Sequence, residues 1–176
     1  MAEENFVVES APPEYKAEYI KAEKTALALI ARAEQCTYGL QYKLEKKKYP
    51  GSVIQAVLSG LTETGLVNDL RYSQLWLKMK ISRGNKGPRM LALLLKAKGI
   101  DNETAKAALN AVLAPETESM LLKSFLDKTL KDKKGRAKIF PAGNSADKKT
   151  AIRHFLKAEG FSADAIEDYC EGILTQ

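Results

Sequence analysis

The chain has 176 residues, 45% hydrophobic and 28% charged, a balance that suits a folded domain or an array of small repeats and argues against wholesale disorder. Its 28 Lys and Arg against 22 Asp and Glu leave a net charge of +6, which favours an anionic partner. Apolar runs such as Leu91 to Leu95 are too short to cross a bilayer, and Met1 to Ser10 carries glutamates and no basic residue, the reverse of a signal peptide.

Residues 1–14 read as an acidic, disordered tail. A leading helix is expected over Tyr15–Ala33, where Thr25 to Ala33 is rich in Ala and Leu. Cys36 then precedes Thr37, placed to cap a helix running to Lys48 with Leu40 and Leu44 on one face. Pro50-Gly51 breaks the chain, and Ser52 is placed to cap a helix whose stripe is Val53, Ile54, Val57, Leu58 and Leu61. Gly65 ends it. Asn68 or Asp69 opens the next helix, toward Ile81. The turn Gly84-Asn85-Lys86-Gly87-Pro88 follows, with Pro88 suited to the first helical position. A further leading helix spans Glu116–Leu130, and residues 131–147, rich in Lys with Gly135, Pro141 and Gly143, read as a long mobile basic loop. No segment of comparable length alternates like a strand, so the expected fold is all-α.

One unit is written three times. Leu40, Leu91 and Ile152 start equivalent helices, with Leu44, Leu95 and Leu156 four residues on. Tyr49, Ile100 and Phe161 follow at the tenth position. Gly99 and Gly160 match as residues just past a helix, where glycine adopts the left-handed conformation cheaply. Beyond the turn, Ile54, Ala105 and Ile166 correspond, as do Val57, Ala108 and Tyr169, then Leu58, Leu109 and Cys170, then Leu61, Val112 and Ile173. Asp101 and Ser162 hold the N-cap place that Pro50 has in the first copy. Turn and cap agree in phase across all three copies, so the repeat is real. The units are 15–64, 65–114 and 115–176. Such units bury little surface alone and are expected to stack into an elongated array.

Charge is unevenly placed along this array. Residues 16–98 hold 16 basic and 6 acidic side chains, and Leu70 to Ile100 contains no acid. An ordinary helix surface mixes signs, because opposite charges one turn apart are mildly stabilising. The one-sided set Arg71, Lys78, Lys80, Arg83, Lys86, Arg89, Lys96 and Lys98 therefore points to contact with nucleic acid or an acidic protein surface. Lys43, Lys46, Lys47 and Lys48 form a second cluster, either a contact or a solvated helix end favoured by the helix dipole. Tyr72 and Trp76, four apart, read as anchors of a core or of a seam between units.

Catalytic and metal chemistry find little support. His154 reads as a surface histidine, and one histidine with no close cysteine pair is too few ligands for zinc. Gly84 to Gly87 lacks the spacing and the Lys-Ser/Thr ending of a triphosphate-binding loop. Glu167 and Asp168 are adjacent, and so diverge on a helix. Cys36 and Cys170 read as reduced, buried thiols of a cytoplasmic protein. No cofactor is expected, and no enzyme.

The ordered segments resemble the RecX family of RecA regulators. They are Ala26 to Glu34; Leu40, Lys43, Leu44, Lys47 and Tyr49; Gly65 to Asp69 with Arg71 and Tyr72; Arg83, Gly84, Lys86, Gly87 and Pro88; and Lys98 to Ile100. The likeness covers residues 26–100 and extends more weakly to the C-terminus. Lys48 departs from it, standing where the family usually has Gly, and so does the long basic stretch before the third helix pair. The resemblance implies a curved array of three three-helix repeats binding along a RecA–DNA filament, with DNA met through the filament or directly. It also implies an inhibitory regulator, a monomer with no membrane attachment. The same residues leave room for a nucleic-acid-binding protein independent of RecA. Against that, Asn102 to Leu113 is mostly Ala with only Lys106 positive, a poor recognition helix.

Overall fold

The computed structural model describes residues 16–84, 86–140 and 147–172. The tail expected at 1–14, Asn85, Ile173 and part of the expected loop lie outside them. Among the described residues there are ten α-helices and no strand.

The first unit is α1 (Lys16–Arg32), α2 (Thr37–Lys46) and α3 (Gly51–Glu63). Tyr19, Ala22 and Ala26 of α1 meet Leu40 and Leu44 of α2 and the Val53, Ile54, Val57 stripe of α3 in one buried core. The second is α4 (Asp69–Arg83), α5 (Pro88–Lys96) and α6 (Asn102–Val112). Its core joins Leu77, Leu91, Leu95, Ile100, Ala105 and Ala108, with Cys36 contributed by the first unit. The third begins with α7 (Pro115–Lys131), continues through α8 (Lys133–Ile139) and ends with α9 (Lys148–Ala158) and α10 (Ala163–Gly172). Phe125 packs against both Phe155 and Phe161 in its core. Ile81 touches the second and third cores and links them.

Local chemistry explains most of the helix ends. Asn68, Asp101 and Asp147 each accept the backbone N–H of the residue three positions on, the N-cap bond that satisfies a free amide of the first turn. Pro88 is the first residue of α5. Gly65, Gly84, Gly99 and Gly160 all take positive φ at helix ends.

Three expectations need correcting. Ser52 does not cap α3: the helix starts at Gly51 with Pro50 in the cap position. Thr37 is the first residue of α2 rather than its cap, and its N–H donates to Asp69 Oδ1 at 2.7 Å instead. The basic stretch is not one long loop, since residues 133–139 form α8, and the third unit has four helices. Asp132 accepts the Gly135 N–H and starts this helix, while Ile139 is buried in the core. Gly135, read from sequence as a breaker, is the point of closest approach: a Cβ there would lie 2.3 Å from the Thr129 carbonyl oxygen of α7.

The two seams between units are built alike. The turn of the second unit lies against the start of α2: Cys36 Sγ donates to the Lys98 carbonyl, and a Cβ on Gly99 would sit 2.4 Å from Tyr38 Cβ. The turn of the third unit lies against the start of α5, where Gly87 and Arg89 donate backbone N–H groups to the carbonyls of Glu159 and Gly160. A Cβ on Gly160 would sit 2.6 Å from the Met90 nitrogen. Among the described residues, hydrogen bonds and ion pairs join the first unit to the second and the second to the third, with none from first to third. That is the nearest-neighbour connectivity of a linear array.

Candidate functional site

The acid-free stretch spans α4 beyond its first residue, Asp69, then the following turn and α5. Its cations fall into two groups once folded, separated by whether the protein itself already holds them.

Arg71 is fully engaged within the protein. Nε donates to Glu34 Oε1 at 2.8 Å, and the two terminal nitrogens donate to the Gly65 and Leu66 carbonyls at 2.9 and 3.0 Å. It therefore clasps the end of the first unit to the start of α4. Lys86 pairs with Glu159 at 2.6 Å across the second seam. Lys80 and Lys98 flank the Trp76 ring, with ammonium nitrogens 5.2 and 5.9 Å from its centroid, a cation–π arrangement. Lys43 donates to Gln35 Oε1 at 2.6 Å, and Gln35 in turn donates to the Ala33 carbonyl. Tyr72 and Trp76 are partly buried against the second core. Burial pushes the Tyr72 phenol upward in pKa, with the neighbouring Cys36 adding to it.

Lys47, Lys78, Arg83, Arg89 and Lys96 are exposed and have no ion-pair partner among the described residues. Arg83 is fixed through its backbone, since its carbonyl accepts the Lys128 ammonium at 2.9 Å. Its guanidinium, like the four other cationic groups, keeps its donors for an anion. Such a set can neutralise phosphates or carboxylates without demanding a unique geometry. Among the described residues, no group of three His, Cys, Asp or Glu could hold a metal ion, and no helix is long and apolar enough to cross a membrane.

Residues 68–109 match the family model described as RecX, second three-helix domain, the unit that carries Lys78, Arg83, Arg89 and Lys96. The chain is 31% identical over 133 residues to the regulatory protein RecX of Mycolicibacterium vanbaalenii, covering 76% of this chain and 70% of that one. The chain belongs to the RecX family. The RecX of Halorhodospira halophila is 29% identical over 143 residues, covering 80% of this chain and 81% of its own length. The crystal structure of RecX from Lactobacillus salivarius superposes with a TM-score of 0.74 at 21% identity, covering 91% of this chain and 99% of that one. A second RecX crystal structure gives 0.71 at 20% identity and covers 89% of this chain. Against this RecX background the third unit's likeness, weak in sequence, is carried by the fold.

Sequence reasoning named the cations and missed which of them the fold consumes. Glu34 lies 37 residues from Arg71, and Glu159 lies 73 from Lys86. No local pattern marks either pair.

Proposed function

We propose that this RecX-family chain is a non-enzymatic, cytoplasmic regulator that binds along a RecA–DNA filament as a monomer and inhibits the recombinase in DNA repair and homologous recombination. ATP hydrolysis, coprotease activity and the SOS response that depends on it are the outputs it lowers. The observation that carries this reading is the family membership, which spans the repeat array rather than one helix pair. The linear arrangement of units suits a partner that is itself extended and repeating. Lys47, Lys78, Arg83, Arg89 and Lys96 are the contacts of first choice, because their charges are not spent inside the protein. Lys80 and Lys98 contact the same partner while resting on Trp76. Arg71, Lys86 and Lys43 act mainly by holding the array in shape.

The test is ATP hydrolysis by RecA on single-stranded DNA, titrated with this protein well below one copy per RecA protomer. A fall at those ratios is expected, because one regulator on a filament affects many protomers. A rise keeps the partner and reverses the sign. Unchanged hydrolysis, with salt-sensitive binding of DNA by this protein alone, overturns the reading in favour of an independent nucleic-acid-binding protein.

A further inference from the structure

The groove between the last two helices of a unit occurs twice on this molecule, in register. In the second unit, Leu93, Lys96, Ala105 and Lys106 line a cavity of about 290 Å³ between α5 and α6. In the third, His154, Lys157, Ile166 and Glu167 line one of about 590 Å³ between α9 and α10. Each of these four follows its counterpart by the same sequence interval, the one that separates Gly99 from Gly160. Arg89 lines both cavities, so the two share a wall at the seam.

The rim of this double groove is cationic and its floor is apolar. Arg89, Lys96 and Lys106 stand on the first half, and Arg153 and Lys157 on the second. Two carboxylates also face the second cavity, and both are occupied. Glu118 accepts the Ser162 N–H at 2.8 Å, and Glu167 pairs with Arg153. Neither neutralises Arg89, Lys96, Lys106 or Lys157, which have no ion-pair partner among the described residues. The Arg153 Nε is buried with no hydrogen-bond partner among the described residues. Leu93, Ala105 and Leu109 form the floor of the first half, and Phe161, Ala163 and Ile166 that of the second.

Cations alone would suit a phosphate backbone as well as carboxylates. Binding of single strands also uses exposed aromatic faces on which bases stack. The groove offers none: Phe161 is buried, and the exposed Tyr38 and Tyr42 line a different cavity, beside Lys98. An apolar floor under a cationic rim fits aliphatic side chains and carboxylates carried on one strand. We propose that this groove binds an extended acidic peptide, with its carboxylates on Arg89, Lys96 and Lys157 and its aliphatic side chains on the Leu93 and Ile166 floors. The partner is a protein segment, and the proposal holds whether or not that protein is a recombinase.

The experiment is amide chemical-shift titration of the ¹⁵N-labelled full chain. The probes are a short blocked peptide alternating glutamate and leucine, and a thymidine oligonucleotide of equal length. The peptide is expected to shift Leu93, Phe161 and Ala163, and added salt is expected to weaken it. Lys96→Glu with Lys157→Glu, both exposed, is expected to weaken peptide binding about tenfold with the thermal midpoint unchanged. Shifts at these residues from the oligonucleotide but not the peptide would overturn the proposal in favour of a phosphate groove. No shift from either probe at millimolar concentration would overturn it outright, and so would peptide binding that ignores the charge reversal. None of these outcomes involves RecA, so failure here leaves the filament reading standing.

Discussion

Lys48 shows how one backbone position is treated differently along the array. It has φ 64°, the left-handed conformation that Gly99 (φ 81°) and Gly160 (φ 90°) adopt at the equivalent turns. At those glycines the turn is pressed onto the preceding unit, and a Cβ would collide. Lys48 is exposed in the turn of the first unit. Only the conformational cost remains there, about 1–2 kcal/mol, part of which glycine would return through its larger unfolded-state entropy. Lys48→Gly should therefore raise stability by about 0.5–1 kcal/mol in urea denaturation. Gly160→Ala should lower it by about 2 kcal/mol or more, because the obstacle is the Met90 backbone. Equal effects from the two substitutions would contradict the seam geometry.

Tyr19 makes a second prediction at this scale. Burial first, and the nearby Glu23 second, push its phenol from 10.0 up to about 12. The folded value is raised, so the contribution to stability is complete below the unfolded value and is lost as pH climbs through the folded one. Tyr19→Phe gives up a long hydrogen bond to Glu23, 3.4 Å, and removes this alkaline penalty. Its unfolding midpoint relative to wild type should rise on going from pH ~9 to pH ~11.

Among the helices, the start of α2 depends on a residue from another unit. Cys36 in the cap position makes no side-chain cap bond. Asp69, in the first turn of α4, accepts both the N–H and the hydroxyl of Thr37 instead, at 2.7 and 3.1 Å. One carboxylate thus sits at the N-termini of two helices, where the helix dipoles favour negative charge. Asp69→Ala should cost about 1–2 kcal/mol and speed hydrogen exchange at the Thr37 amide. An unchanged Thr37 exchange rate would show that the bond carries no weight. Sequence reading found the α2 helix and misassigned its cap, because the capping residue lies 32 positions away. The same limit hid α8, whose Asp132 cap is local but whose Ile139 needs the third core to justify a seven-residue helix.

At the scale of the molecule, three small cores are joined by turns, single side chains and the shared Ile81. Surface charge and array shape are therefore separable by mutation. On the proposed function, Lys78→Glu with Arg83→Glu and Lys96→Glu should weaken the effect on RecA ATP hydrolysis at least about tenfold while leaving the unfolding midpoint nearly unchanged. Arg71→Glu should instead lower stability by about 1 kcal/mol, because it opposes Glu34 and abandons two carbonyls at the first seam. If the triple reversal unfolds the protein as readily as Arg71→Glu, the division into free and engaged cations is wrong.

The all-α fold, the repeat phase, the left-handed glycines, the cap Asp101 and the choice of Asn68 or Asp69 at the start of α4 were legible in the sequence. Each depends on residues within about one or two helical turns, where periodicity and backbone chemistry act directly. Only the tertiary structure decided which cations are spent on the seams, that Asp69 caps α2, and that Arg89 stands between two grooves in register. Those outcomes depend on which distant residues the packing of whole units brings within a few ångströms, a proximity that composition and spacing do not encode.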